Sequence, residues 1–247
     1  MPPIGSAVAR RLAAAAALAA FLAGCAAWPG GRAVRVLRFS GEDWIVRSTG
    51  GRALAPGPNV FFDGPEAASV DDRGRLHLRV ARDGGVWRCA EIVSRRAYGR
   101  GTYRFEVATP PSRLTPGVVL GLFTWNDARE PDHREIDVEL SSAPAEGETD
   151  AQFVVQPGAD AGTIHRFRLP PDAGDARHSF RLLPGRVEFE SRPLGGPDFS
   201  EVWTSSAAPD GGSANVRMNL WLARGAPLRD GESAEAIVTR FEFVPDE

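Results

Sequence analysis

The chain has 247 residues and a formal net charge of −3, and all 29 of its basic residues are arginine. That length suits one large all-β domain or two small ones. No block of basic residues interleaves with aromatics, which argues against a nucleic-acid partner.

The first segment reads as a targeting signal. Arg10 and Arg11 precede an unbroken apolar run, LAAAAALAAFLA, from Leu12 to Ala23. Such a run is shorter than the ~20 residues that span a bilayer core and fits the apolar region of a signal peptide. It ends in Leu22-Ala23-Gly24-Cys25, which resembles the lipobox of bacterial lipoproteins. The resemblance implies cleavage before Cys25, a lipidated Cys25, and an exported, membrane-anchored protein on the periplasmic or cell-surface side. A soluble export signal cut at a small residue is the alternative. Residues 1–24 are thus read as signal peptide, 25–40 as a lipid-anchored tether with one possible strand, VRVLRF (34–39), and 41–247 as the folded domain. Losing Arg10 and Arg11 would take the net charge from −3 to −5. Cys89 would be the one free thiol left, and its strand-like setting predicts a small buried residue.

Beyond the tether no window has helical periodicity with caps, whereas short β runs alternate with turn residues. RLHLRV (75–80) leads through Asp83-Gly84-Gly85 into VWRCAEIV (86–93), a hairpin signal. GTYRFEVA (101–108), GVVLGLFTW (117–125), REIDVEL (134–140) and AQFVVQ (151–156) come next. TIHRFRL (163–169), HSFRLL (178–183) and RVEFE (186–190) follow, then ANVRMNLWL (214–222) and AEAIVTRFEFV (234–244). About a dozen strands without an internal repeat predict a single β-sandwich.

REIDVEL carries the chemistry. Residues two apart on a strand share a face, so Glu135, Asp137 and Glu139 line one side while Ile136, Val138 and Leu140 enter the core. A solvated face normally mixes signs, because adjacent like charges repel. Retaining glycosidases need two carboxyl groups about 5–5.5 Å apart. Strand positions four apart have Cα atoms about 13 Å apart, a gap that two inward-leaning glutamates can largely close and two aspartates cannot. The short central Asp137 can keep one proton within the group.

EIDVE also resembles the Glu–apolar–Asp–apolar–Glu signature of glycoside hydrolase family 16, in the uninterrupted form of its lichenase and xyloglucan-transferase members. Other stretches agree in family order: Tyr98-Gly99-Arg100-Gly101-Thr102-Tyr103, Leu122-Phe123-Thr124-Trp125, Met218-Asn219-Leu220-Trp221 and Ala90-Glu91. Pro56-Gly57-Pro58-Asn59 and HREID mark a bacterial subgroup. The resemblance implies a concanavalin A-like jelly roll acting on a β-linked polysaccharide or oligosaccharide, with Glu135 as nucleophile, Asp137 as assisting acid and Glu139 as general acid/base. It departs from the family at Val93, where a basic residue is usual, at Leu183, and at Val154 and Gln156 after the motif. Trp125 and Trp221 are read as sugar-stacking platforms or core aromatics, and Asn219 as a hydroxyl contact. His133 and His165 are read as lining the cleft or as merely satisfying backbone groups, Gln156 as cleft-lining, and Glu91 as cleft or surface.

The reaction so read requires no cofactor. A structural calcium occurs in the family, but no ligand loop in this sequence supports one, and no histidine spacing supports zinc. A monomer is expected. Two other readings stay open: a carbohydrate-binding lipoprotein on the same fold without catalysis, and a structural envelope lipoprotein. The sugar, its linkage, endo or exo action, and hydrolysis or transfer are left open by the sequence.

Overall fold

A computed structural model describes residues 34–246 apart from 130–131, 143–148, 159–161 and 230. The signal and lipidation readings, Cys25 included, lie outside the described residues. Among those described, no helix is long and apolar enough to cross a membrane.

Among the described residues sixteen strands follow one another. They are β1 (Val36–Phe39), β2 (Glu42–Val46), β3 (Val60–Phe61), β4 (Ala68–Val70), β5 (Leu76–Asp83) and β6 (Val86–Tyr98). Then come β7 (Gly101–Val107), β8 (Val118–Trp125), β9 (Ile136–Ser141), β10 (Ala151–Val155) and β11 (Ile164–Phe167). The last are β12 (Ala176–Leu183), β13 (Arg186–Pro193), β14 (Glu201–Ser205), β15 (Ala214–Leu222) and β16 (Ala234–Pro245). They pair in the order β11-β10-β9-β8-β15-β6-β5-β16-β7-β12-β13-β14, with β1 and β2 added beside β6. The long β6 links the two layers of this all-β jelly roll. Its start pairs with β5, and from Ala90 onward it pairs with β15. Glycines at positive φ, Gly84 at 56° and Gly85 at 84°, make the β5–β6 turn, as a tight hairpin requires.

The core lies between the layers and follows from the alternation. Leu76, Leu78 and Val80 on β5 and Tyr103, Phe105 and Val107 on β7 are buried, as are Ile136, Val138 and Leu140 on β9. Each fully buried aliphatic or aromatic side chain contributes about 1.5–3 kcal/mol. Cys89 joins them: its thiol lies 3.4 Å from Asn59 Oδ1 and burial pushes its pKa up to about 11.

The outer faces of the two layers differ. On the back layer, cross-strand pairs of opposite sign meet in the open: Arg79–Glu235, Arg104–Glu242 and Arg177–Glu106. That is how a solvated face looks. On the front layer the outer face carries Asp137 and Glu139 of β9, with Glu135 just before the strand, and no such alternation of sign along it.

Two boundaries are corrected. The folded unit starts before residue 41, because Val36–Phe39 pairs with β2, Phe39 is buried, and Trp44 Nε1 donates to its carbonyl at 3.0 Å. The strand expected over 134–140 begins only at Ile136, because His133 and Arg134 take left-handed φ values of 51° and 53°.

Candidate functional site

Strand pairing lays the front face out in rows. Glu91 on β6, Asn219 on β15, Gly121 on β8, Glu139 on β9, Gln152 on β10 and Arg166 on β11 stand side by side. The next row is Arg217, Phe123, Asp137 and Val154. Directly opposed residues share a face in an antiparallel sheet, so both rows project away from the core.

The second row explains the state of Asp137. Its flanking residues, Phe123 and Val154, are apolar and buried, and Asp137 itself is only 6% exposed. Burial, together with the charges of Glu135 and Glu139, raises its pKa well above the ordinary carboxylate value. No donor of the described residues faces its buried Oδ2. Protonated, Asp137 is a donor, and Glu135 is the hydrogen-bonded partner that accepts.

Glu135 follows the same logic with more balance. Burial raises its pKa to about 7. The hydrogen bond from Asp137 opposes that rise, the Glu139 charge adds to it, and His133 and Arg217 pull it down. Glu139 is also raised by burial, offset by a hydrogen bond from Gln152 Nε2 and by the Arg166 charge. The three adjacent carboxyls are therefore all shifted upward and titrate as one unit, rather than as three independent acids.

Glu91 is neither on the surface nor in the open face. It is 0% exposed, because two arginines from distant strands neutralise it. Arg47 Nη1 donates to its Oε2 at 2.8 Å and Arg217 Nη1 to its Oε1 at 3.2 Å. Asn219 Nδ2 lies 3.4 Å from Glu91 Oε2. Asn219 is 2% exposed, and its Oδ1 is buried with no donor among the described residues. That oxygen sits over Gly121, where a Cβ would stand 2.5 Å from it, so only glycine leaves the amide its place.

Arg217 reaches the other side of the site as well. Its Nη2 donates to Asp127 Oδ2 at 2.9 Å, and its guanidinium carbon lies 5.5 Å from the Trp125 ring centroid. Asp127 Oδ1 in turn accepts from Trp125 Nε1 at 2.9 Å. The imidazole of His133 stacks on Trp125 at 3.9 Å and 15°. One face of the expected sugar platform is thus covered by His133. Trp221 is half-buried against the core, in register with Val119.

Gln156 follows β10. Its backbone N–H donates to the Glu135 carbonyl at 3.1 Å, while its side-chain oxygen accepts from Gly158 N–H at 2.6 Å. Its amide therefore closes its own turn and does not reach the acids. Four residues of the site had not been picked out from the sequence: Gln152, Arg217, Asp127 and Arg166. Gln152 was findable, because an antiparallel β9–β10 hairpin places a residue of β10 beside each acid. Among the described residues there is no group of three or more His, Cys, Asp or Glu that could hold a metal ion.

No family model matches the sequence, and no curated protein does. Solved structures do match. A β-glucanase of Bacillus licheniformis superposes with a TM-score of 0.62 at 16% identity, over 82% of this chain and 92% of that one. A family GH16 protein from the mixed-linkage glucan locus of Bacteroides ovatus, solved with its G4G4G3G product, gives 0.60 at 14% identity, over 81% and 94%. An immunostimulatory antigen and pseudo β-1,3-glucanase of Mycobacterium tuberculosis gives 0.62 at 18% identity, over 83% and 91%. What this chain shares with all three is the β-glucanase jelly-roll fold.

Proposed function

We propose that this protein is a retaining β-glycan hydrolase of the family 16 type, exported and held to a membrane through lipid on Cys25. The observation that carries the reading is the coupled set of Glu135, Asp137 and Glu139, with Asp137 buried and the two glutamates half-buried on one face of the front layer. Binding a neutral sugar does not need three adjacent carboxyls, and their mutual repulsion costs stability. The folds matched above point to β-glucans as the first substrates to try.

The chemistry assigns each acid a task. Glu139, protonated, gives its proton to the glycosidic oxygen as that bond breaks. Glu135, ionised and steadied by the Asp137 hydrogen bond, attacks the anomeric carbon from the opposite face. Glu139 then takes a proton from water, which displaces Glu135 and restores the β configuration. Asp137 keeps the second proton within the group, so that Glu135 is never forced to ionise beside two other charges.

The test is hydrolysis of β-1,3- and mixed-linkage β-1,3-1,4-glucans, read by reducing ends and by NMR of the first-formed anomer. Wild type is expected to release β anomers, and Glu135→Gln to lose at least about a thousandfold in kcat while still binding oligosaccharide. Binding without turnover in wild type would favour a non-catalytic sugar-binding lipoprotein, a reading to which the pseudo-glucanase of the same fold lends weight. For the anchor, Cys25→Ser is expected to move the protein from the membrane fraction to the soluble one. Unchanged fractionation and no incorporation of labelled fatty acid in wild type would sink that part.

A further inference from the structure

Of the three acids, two are placed by the sheet and one is not. Asp137 pairs with Phe123 and Val154, and Glu139 with Gly121 and Gln152. Glu135 lies just before β9, and its one tie to β10 is the Gln156 N–H donating to its carbonyl. Its position must come from the turn that delivers it.

That turn is strained. His133 and Arg134 sit consecutively at φ 51° and 53°. The left-handed conformation is unfavourable for a residue with a side chain, and it persists only where surrounding contacts over-determine it. Part of the hold is local. The His133 N–H donates to Arg129 O at 2.9 Å, the Glu135 N–H to Asp132 O at 2.9 Å, and the Thr124 hydroxyl to Arg134 O at 2.8 Å.

The rest comes from the connection between β14 and β15. Arg134 forks onto Asp210, with Nε to Oδ1 and Nη2 to Oδ2 at 3.0 Å, while Nη1 donates to Ser213 O at 3.1 Å. Arg129 Nη2 adds a contact to Asp210 Oδ2 at 3.1 Å, and Asn126 Nδ2 donates to Ser213 O at 2.8 Å. Gly212 lies so close under the Arg134 guanidinium that any Cβ there would run into it. A planar two-point pair fixes orientation as well as distance, and only 15% of the Arg134 side chain is exposed.

We propose that the Arg134–Asp210 fork is the positioning device for Glu135: it binds the β14–β15 connection to the turn and holds the left-handed pair that sets the Glu135 carboxyl against Asp137. The inference rests on the catalytic reading of Glu135. Arg134 and Asp210 act through that residue and are positioning residues. Groups facing Glu135 from the packed elements are Asp137 and Glu139 on β9, His133 in the turn and Arg217 on β15.

The experiment uses the full chain and 2,4-dinitrophenyl glycosides of short β-glucan oligosaccharides. Asp210→Ala is expected to lower kcat about a hundredfold, the size of loss that a ~1 Å misplacement causes, with KM changed less than about threefold. Arg134→Lys keeps the charge but not the fork, and is expected to fare no better than Asp210→Ala. The decisive comparison is made in a Glu135→Ala background with sodium azide. Azide attacks the anomeric carbon with its own electron pair, and dinitrophenolate leaves with the pair of the broken C–O bond. There Asp210→Ala is expected to change the azide rate less than about threefold, since no Glu135 is left to misplace. Equal losses in both backgrounds would mean general damage to the site and overturn the proposal, as would a wild-type kcat in Asp210→Ala. If wild type turns over no substrate, the catalytic reading fails and the fork is still read by carbon NMR of the Glu135 carboxyl. Its pKa is expected to fall in folded Asp210→Ala as the group swings into water, and an unchanged titration overturns the fork.

Discussion

At pH 8 the Glu135→Gln protein is expected to be more stable than wild type, and at pH 4 equally stable. Burial raises the folded-state pKa of Glu135 to about 7, against an unfolded value near 4.3. Below the unfolded pKa the group is protonated in both states and costs nothing. As pH rises from there to about 7, the unfolded chain releases its proton and the folded one keeps it, so stability falls with pH. Above about 7 the folded state has ionised too, and the full cost is present, on the order of 3 kcal/mol. Glutamine removes that cost while its side-chain oxygen still accepts the Asp137 proton. For a domain of this size the gain corresponds to roughly 6–12 °C in Tm at pH 8. Paired melts at pH 4 and pH 8 check it. A variant no more stable than wild type at pH 8, or one whose advantage is the same at both pH values, would refute the buried, proton-sharing picture of the acids. The same substitution is expected to remove turnover, so stability and activity are set against each other at this one side chain.

Much of this architecture is visible in the sequence because its strands alternate. RLHLRV, GTYRFEVA and AEAIVTRFEFV each put their apolar residues on the core face, as β5, β7 and β16 do. The strands that sequence reading missed have no such pattern to offer. β3 is two residues long, β4 three, and β14 alternates with its exposed side apolar at Val202. They exist because a neighbouring edge offers them hydrogen bonds, a tertiary cause that local propensity does not contain. The possible strand VRVLRF is β1, and its partner β2 is a further strand that the sequence does not announce: the place of both in the fold depends on Trp44 reaching back to Phe39.

The site divides along the same line. Period two alone puts Glu135, Asp137 and Glu139 together, and the mixed-sign back layer shows why a run of like charge there is not ordinary surface. Glu91 could not be placed by spacing, because its burial depends on Arg47 and Arg217, 44 and 126 residues away. Sequence rules that look for Gly or Asn at positive φ pass over the turn before Glu135, since His133 and Arg134 are neither. Trp125 was legible as an aromatic beside the acids, but not that His133 would cover one of its faces.

The buried ion cluster beneath the face yields the other large effect: Arg217→Met is expected to destabilise the fold by about 3 kcal/mol. Arg217 is 8% exposed and the Glu91 side chain 1%. Arg47 and Asn219 both address Glu91 Oε2, so Arg217 is the donor that satisfies Oε1. A methionine of similar length fills the space but leaves that oxygen buried and bare. Breaking a buried pair from one side costs more than the pair itself contributes. The loss at Asp127 adds little, because its side chain is 72% exposed and water replaces the arginine. If desolvated charge is the cause, the double variant Glu91→Met, Arg217→Met is expected to recover more than half the loss, since Arg47, 23% exposed, can turn to solvent. Urea unfolding of the two singles and the double gives the coupling directly. Additive losses in that cycle would show that Arg217 acts by filling space, and the charge argument for the buried face would be wrong.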